Sequence, residues 1–467
     1  MLGRSLEYDS LKTVLLHLDA NVRFEINHRM PSMRQIERVV PLKIWDLSIK
    51  EFSTRINNTE YSLTIYRHYP SGKVPLPVQE ERLYGVVTQD FDEFGFPVAS
   101  GLSDFLPGDV SYRSENYIPT RYDTEEIEAN CRQHLRTHRL AKERYDELTA
   151  NGLTVREYLR RMEPNADDAT HEERQIQDSL LTTLGMPNWL DRIIEEMETK
   201  LVPFDCRRNQ SKPPFTCYIQ LTICKDKSKK IQRFEYNRKL FEAAKQLNQV
   251  MFGNRTFPIY VSNFEIRAHR GSIYRLPIGF SVHATKMVCG SLTMDNKNFK
   301  SVVKNSENLN TLQIECNFYP GFDFHHPAIL NSKKLVITTS NILRIQGLTD
   351  IAKNTSSLDF QIENLTDLST EQCYGLYQSW LSGNRRIGSR FSVELKRITG
   401  LQVRELIRNR SERTERTERC LTVFINASTK VEVYYEPSTD PPLTAMETML
   451  PWVYPPRWFL KTRIVKA

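Results

Sequence analysis

The chain is short of nearly everything that would announce a reaction. Its eight cysteines, Cys131, Cys206, Cys217, Cys224, Cys289, Cys316, Cys373 and Cys420, include no CxxC pair, and the closest two are Cys217 and Cys224. Zinc modules draw their ligands in close pairs, so a structural zinc site is not expected. There is no GxSxG elbow, no GxxxxGK[ST] loop, no GxGxxG after a strand and no HExxH. These absences remove the commonest hydrolase, nucleotide-binding and metalloprotease frameworks. No apolar run approaches the roughly eighteen residues of a membrane span. The opening MLGRSLEYDS has no apolar core of a secretory signal. Reduced thiols in an intracellular setting, cytoplasm or nucleus, are therefore expected. The sequons at Asn57 and Asn254 then carry no glycosylation meaning. Charge of one sign is not in large excess either. Lys and Arg number 64 against 57 Asp and Glu, a net charge of +7, and the two signs are interspersed. A polyanion partner such as nucleic acid is the alternative reading, but an evenly mixed surface explains the balance better.

What is present is enough apolar material for cores. At 467 residues, 39% hydrophobic and 10% aromatic, two or three domains are expected. Leu11, Val14, Leu15 and Leu18 fall at i, i+3, i+4 and i+7, one face of a helix that Asp9 or Ser10 can cap. A second helix is expected from Ala20 to Arg29, stopping before Pro31. A third groups Met33, Ile36 and Val40 and ends at Pro41. The period then changes. Leu42 and Ile44, then Leu47 and Ile49, alternate as a strand with one slip, and Tyr61, Leu63 and Ile65 alternate beyond the polar turn at Asn57 to Glu60. Residues 70–120, rich in proline and glycine, read as loops with short strands.

From Asp123 to Ala150 a charged helix carries the thin stripe Ile127, Cys131 and Leu135, with Glu128 four residues before Arg132. Thr154 and Glu157 have capping-box spacing, the stretch from Pro164 to Glu173 reads as a linker, and helices follow at 176–184 and 189–201. Phe215, Cys217, Ile219, Leu221 and Ile223 alternate as a strand, and the next helix, with Leu240, Ala244 and Leu247 on one face, is expected to end at Gly253 as its left-handed cap. LNTLQIECN, Leu309 to Asn317, then fits the leucine-rich-repeat strand pattern L-x-x-L-x-L-x-x-N. Looser copies are anchored at Phe264, Leu292, Leu335, Leu358 and Phe391, mostly at repeat-like intervals, with helix-like stretches around Phe299 to Val303 and from Thr370 to Leu381.

The remaining chemistry-bearing residues read as structural. His134 and His138, four apart on a helix, lack a third ligand, and His325 and His326 share a loop with no further donors. Asp90, Asp92 and Glu93 are too closely spaced for a calcium loop. The cysteines suit core packing. An active site joining the Asp90 and His325 loops is the weakest of the functional readings. The tract Ser411 to Arg419, with Arg404, Arg408 and Arg410 before it, offers balanced charge and reads as a solvated helix or loop. The aromatic end from Leu450 to Leu460 suits a cap over an exposed repeat end.

The block from Leu11 to Ile49 resembles the large nematode family of F-box C and F-box-associated proteins. The resemblance rests on Leu11, Val14, Leu15 and Leu18, on Arg23, on Arg29-Met30-Pro31-Ser32 and on Pro41-Leu42-Lys43-Ile44. It extends in patches through INNTEYSLTIYRHYPSG, VVTQDFDEFGF, LFEAAKQLNQVMFGNRTFPIYVSNFEI and YQSWLSGN around Trp380. It implies N-terminal helices that bind a Skp1-like adaptor through Leu11, Val14, Leu15 and Leu18, and a C-terminal part that recruits an unknown protein target for ubiquitination. The expected fold is α+β. It comprises an F-box-like helical element (1–40), a β-rich region with a hairpin (41–119), a charged helical insert (120–202), an irregular leucine-rich-repeat-like strand/helix solenoid (203–400) and a charged segment with a C-terminal cap (401–467). The expected function is non-catalytic protein binding, as the substrate-recognition subunit of a Skp1-cullin-F-box type ubiquitin ligase. No catalytic residue, metal or cofactor and no membrane contact is expected.

Overall fold

The computed structural model describes residues 8–84, 87–98, 104–111, 118, 120–162, 170–186, 188–267, 272–290, 299–315, 323–339, 345–364, 368–383, 385–417, 420–437 and 458–467. The Leu292 repeat anchor, residues 164–169 of the expected linker and residues 450–457 of the aromatic end lie outside them. The elements run α1 (Tyr8–His17), α2 (Ala20–Arg29), α3 (Arg34–Arg38), β1 (Lys43–Ile49), β2 (Ser53–Ile56), β3 (Thr59–His68), α4 (Leu76–Tyr84), β4 (Asp90–Phe91), β5 (Pro97–Val98) and β6 (Val110–Ser111). Then come α5 (Glu125–Ala150), α6 (Val155–Met162), α7 (His171–Thr183), α8 (Trp189–Arg208), β7 (Thr216–Lys225), β8 (Ser228–Glu235), α9 (Leu240–Phe252), β9 (Ile259–Ile266), β10 (Ile273–Tyr274) and β11 (Val282–Gly290). The rest is α10 (Phe299–Val302), β12 (Thr311–Glu315), α11 (Pro327–Asn331), β13 (Lys334–Thr338), α12 (Ile345–Asn354), β14 (Asp359–Glu363), α13 (Thr370–Ser382), β15 (Arg390–Glu394), α14 (Arg397–Asn409), β16 (Thr414–Arg416), β17 (Cys420–Phe424), β18 (Thr429–Pro437) and β19 (Trp458–Lys466). The fold is mixed α+β with a large mixed sheet. Two compact units share the chain: one from Met1–Glu60, Leu106–Asn116 and Leu247–Ala467, the other from Tyr61–Phe105 and Tyr117–Gln246.

In the first unit the strands lie in the order β16-β17-β18-β19-β15-β14-β13-β12-β11-β9-β1-β2. From β9 through β11, β12, β13 and β14 to β15, each strand is parallel to its neighbour and follows it in sequence order. One ladder across them is Leu47, Phe264, Met287, Leu312, Leu335, Phe360 and Phe391. Two residues further along each strand runs a second: Ile49, Ile266, Cys289, Ile314, Ile337, Ile362 and Val393. Every one of these side chains is buried. A strand has a two-residue side-chain period, so in-register pairing stacks apolar positions into continuous rows. Helices close over that face, and the Trp380 ring of α13 stacks on Phe391 at 5.5 Å while Phe360 meets Phe391 at the same distance. One of the described repeat anchors shifts. Leu358 stands exposed before β14, and Phe360 and Ile362 take its core role; β11 fills its rows with Met287 and Cys289.

Both flanks of the parallel strands are covered. β1 adds in parallel to β9, and β19 adds antiparallel to β15 and then to β18. The charged tract 411–419, expected as a solvated helix or loop, instead supplies β16, antiparallel to β17, with Glu415 opposite Thr422. A neighbouring strand with unpaired backbone groups overrides the local preference of a charged segment. Segment 106–111 is tied in by the fully buried Arg275–Asp109 pair, 2.7 Å apart, and by the β6–β10 pairing. Gly108 is required there: its φ is +91°, and a Cβ would come within 2.7 Å of the Ile278 backbone nitrogen.

The second unit combines the strand order β3-β7-β8 with α4 and helices α5 to α8. Its helical layer has two small cores. Phe96, Cys131, Leu135, Met197, Leu201 and Phe204 form one, and Ala141, Val155, Leu180 and Leu190 the other. Thr154 and Glu157 do form a reciprocal cap, at 2.8 and 3.2 Å. Three expectations for this region change. Helix α7 begins inside the expected linker, started by a second capping box, Thr170 with Glu173. Helix α8 continues past Leu201 to Arg208 although Pro203 lies within it, because burial of Phe204 and Cys206 offsets one lost backbone bond. Helix α4, with Pro77 in its first turn, stands where loops and strands were expected. Beyond it, α9 ends with Asn254, not Gly253, in the left-handed conformation, φ 57°.

Candidate recognition surface

The N-terminal helices are built into the first unit by a buried ionic triad. Arg23 Nη2 lies 2.7 Å from Glu37 Oε1, and Arg255 Nη2 donates to the Glu37 carboxylate at 2.8 and 3.0 Å. All three side chains are buried. Arg23 also donates to the carbonyls of Pro41 at 2.8 Å and Val40 at 3.0 Å, closing α2 over the turn into β1. Burial pushes both guanidinium pKa values down and the shared carboxylate pulls them back up. Arg255 follows α9 and precedes β9, so the triad joins the first 40 residues to the parallel strands. Arg23, which the resemblance singles out, is a structural residue of this joint.

Of the four proposed contact residues, Leu15 faces inward at 1% exposure. Leu11 and Leu18 are half-buried and Val14 is 44% exposed. Tyr8 and Leu16 on α1, Val22 on α2, and Met30 and Val39 just past α2 and α3 add further apolar surface. Apolar surface is therefore displayed here, through Val14 of the expected face and through residues outside it, while Leu15 is taken into the core.

The second surface is the solvent side of the parallel strands. Its first row runs Asp46, Asn263, Lys286, Thr311, Lys334, Asp359 and Arg390, and its second Ser48, Glu265, Val288, Gln313, Val336, Gln361 and Ser392, of which Ser48 and Val336 are buried. Several charges along it are paired: Lys334 with Asp359 at 3.4 Å, Arg55 and Arg267 with Glu265 at 3.0 and 2.8 Å, and Arg267 with Glu315 at 3.0 Å. Pairing of opposite charges on the sheet leaves a polar, patterned face.

One end of this face is aromatic. Between the buried positions Ile44 and Leu47 two residues, Trp45 and Asp46, are not buried, the slip visible in the sequence. β9 and β11 make the same step, between Val261 and Phe264 and between Ala284 and Met287, and the flanking residues remain in register. Because all three strands make the step together, their one-for-one pairing is preserved while the side chains are re-aimed. The Asn57 side-chain oxygen accepts from the Trp45 and Asp46 backbone N–H groups at 2.9 and 3.1 Å, with Asn57 itself at φ 54°. Trp45 is left 67% exposed. Nearby in register, exposed Tyr260 lies opposite Lys43 on one side and His283 on the other, with the Tyr260 and His283 rings 5.8 Å apart. The sequence signalled the slip in β1 but not its repetition, because Ser262-Asn263 and Thr285-Lys286 carry no large side chain to mark it.

The other candidates have structural work. Asp90 is buried and accepts from Tyr236 Oη at 2.6 Å and from the Leu240 backbone at 2.8 Å, starting α9; burial pushes its pKa up, and those bonds oppose the rise. His138, lowered by burial, meets Ser179 Oγ at 3.2 Å. His326 caps α11 by accepting from the Ala328 backbone at 3.2 Å. Asp90 and His325 belong to different compact units. Cys217 is pushed up to about 11 by burial and Cys373 to about 12, the behaviour of packed thiols. Among the described residues no group of three or more His, Cys, Asp or Glu side chains could hold a metal ion, and no helix is long and apolar enough to cross a membrane.

The profile of a domain of unknown function, DUF3557, matches residues 239–397, the stretch from α9 through β15. No curated protein and no solved structure matches the chain.

Proposed function

We propose that this protein is a non-catalytic protein-binding receptor of the F-box-associated kind, in which the sequential parallel strands are an irregular leucine-rich-repeat-like solenoid. Its solvent face receives a protein target, and helices α1 to α3 dock a Skp1-like adaptor. The observation that carries the reading is the aromatic end of an otherwise polar face, with Trp45 left outward at a step held by the Asn57 side chain. Exposed Trp and Tyr on rigid backbone are the residues that dominate protein interfaces, because they bury much surface at little entropic cost. Paired charges along the same face suit a polar rim better than a polyanion track, which needs unneutralised Lys and Arg. The Arg23–Glu37–Arg255 triad supports a receptor in a second way, since a ligase adaptor must hold the target at a fixed distance from its own docking helices.

The test is co-purification of the full chain with a purified Skp1-like adaptor. Leu15 is buried, so Leu15→Asp would disrupt the core whatever its role, and exposed Val14→Asp is the informative change. Complex formation by the wild type and its loss in Val14→Asp at unchanged melting temperature is the expected result. A wild type that forms no complex removes the ligase reading and leaves the target-binding face to be tested through Trp45→Ala.

A further inference from the structure

The second unit contains a cavity of about 290 Å³ between β3, α4 and the β7–β8 hairpin. Four cations line it, Arg67, Arg82, Lys229 and Arg233, against the single carboxylate of Glu81, which is paired with Arg67. Two of the guanidinium groups lie on one aromatic ring: Arg233 Cζ is 3.7 Å and Arg82 Cζ 4.6 Å from the Tyr66 centroid. Arg233 is held further by its Nε bond to Gln220 at 3.0 Å, and Arg82 by donation to the Arg67 carbonyl. Stacking on a ring fixes the plane of a guanidinium and leaves its edge donors free to engage an acceptor. The Nε atoms of Arg67 and Arg82 are buried and have no hydrogen-bond partner, and the Arg67 side chain is only 9% exposed. Buried donors without acceptors are costly, and four cations gathered on one cavity against a single, already paired carboxylate mark a place for an anion.

We infer that this cavity binds a phosphate monoester. Its several planar fork donors match a tetrahedral group with three acceptor oxygens and a charge of about −1.5 to −2 at neutral pH. The volume sits at the lower end of ligand sites, about 300 Å³, enough for one phosphate and a short stem but not for a nucleic-acid backbone. The phosphate has two sources of the same chemistry, a phosphorylated side chain on a bound protein or a free small phosphate. The inference stands apart from the receptor reading, since it uses none of the residues on the parallel-strand face.

The experiment is calorimetric titration of the full chain with three probes: inorganic phosphate, a phosphoserine peptide and its unphosphorylated twin. Wild type is compared with Arg82→Gln and with Arg233→Gln, whose exposed position on strand β8 spares the fold, and melting temperatures are recorded for all three. Inorganic phosphate binding that weakens about tenfold or more in each variant is expected, the loss of a charge-assisted bond. A phosphopeptide that binds more tightly than inorganic phosphate, with a silent twin, assigns a protein-borne phosphate; equal or weaker peptide binding assigns a free small one. Absence of binding to every probe, or binding that Arg233→Gln leaves unchanged, overturns the inference.

Discussion

The parallel strands of the first unit and the helical layer of the second solve the same problem by different physics. In the first, apolar rows run unbroken across seven strands, so the buried residues are packed by their neighbours in register. In the second, small cores of six and four buried residues are surrounded by ion pairs on long helices. Glu128 receives Arg132 at 2.8 Å as well as Arg208, Arg132 reaches Asp205 at 2.7 Å, and Arg139 reaches Glu198 at 2.7 Å. Most of those partners are substantially exposed. Continuous apolar rows make stability insensitive to salt and acid, whereas exposed pairs contribute little each and are screened.

The comparison breaks most readily at its strongest point. Phe391→Ala removes a ring stacked between Trp380 and Phe360 and should cost about 3–5 kcal/mol, read as a lowered denaturant midpoint. If it costs under about 1 kcal/mol, the rows do not carry the first unit. Glu37→Ala leaves the Arg23 and Arg255 guanidinium groups buried together, and about 3–5 kcal/mol should be lost. Amide exchange should then show α1 to α3 opening ahead of the parallel strands. Leu180→Ala, in the smaller helical core, should cost about 3 kcal/mol and open α5 and α7 without exposing β12 to β14 to exchange. Arg132→Ala should cost about 0.5 kcal/mol or less, and half-molar salt should erase the difference.

Acid sharpens the same contrast. Hydrogen bonds from Arg132 and Arg208 outweigh burial and lower the Glu128 pKa below its ordinary 4.5. A depressed carboxylate contributes stability that is present above its unfolded pKa and disappears as pH falls through the folded one. The helical layer should therefore loosen below about pH 4.5. Asp90 acts with the opposite sign. Its raised pKa makes a contribution that is greatest in acid and fades as the pH climbs through the folded value. Exchange measured at pH 7 and pH 3.5 should show α5 and α8 losing protection while β12 to β14 keep theirs, and equal loss in both would dissolve the distinction.

Much of the local structure was legible in the sequence. The order of α1, α2, α3 and β1, the strand at 216–225 and the strands around Phe264, Leu312, Leu335 and Phe391 follow from apolar period and proline placement. So does the Thr154–Glu157 cap. Thr170-x-x-Glu173 carried the same signal, masked by the acidic, turn-forming residues before it. Helix α4 was hidden by the surrounding prolines, although proline is well tolerated in a first turn. β16 could not be read locally, because a run of Glu, Arg and Thr becomes a strand only when β17 offers its edge. The candidate surface was legible in part: the slip at Trp45 was visible, but its partners in β9 and β11 lie more than 200 residues away.

By itself the sequence determined most of the helices and strands with a clear apolar period, and that charges of both signs are dispersed. Those properties depend on neighbours a few residues apart. Tertiary structure alone decided that Leu15 is covered while Val14 is displayed, and that Glu37 meets an arginine 218 residues onward. It also decided that Trp45 is left exposed and that Tyr260 meets His283, and that Arg82 and Arg233 share the ring of Tyr66. Each of these depends on which distant backbone occupies the adjoining space, a matter that pairing register and burial settle only once the chain is folded.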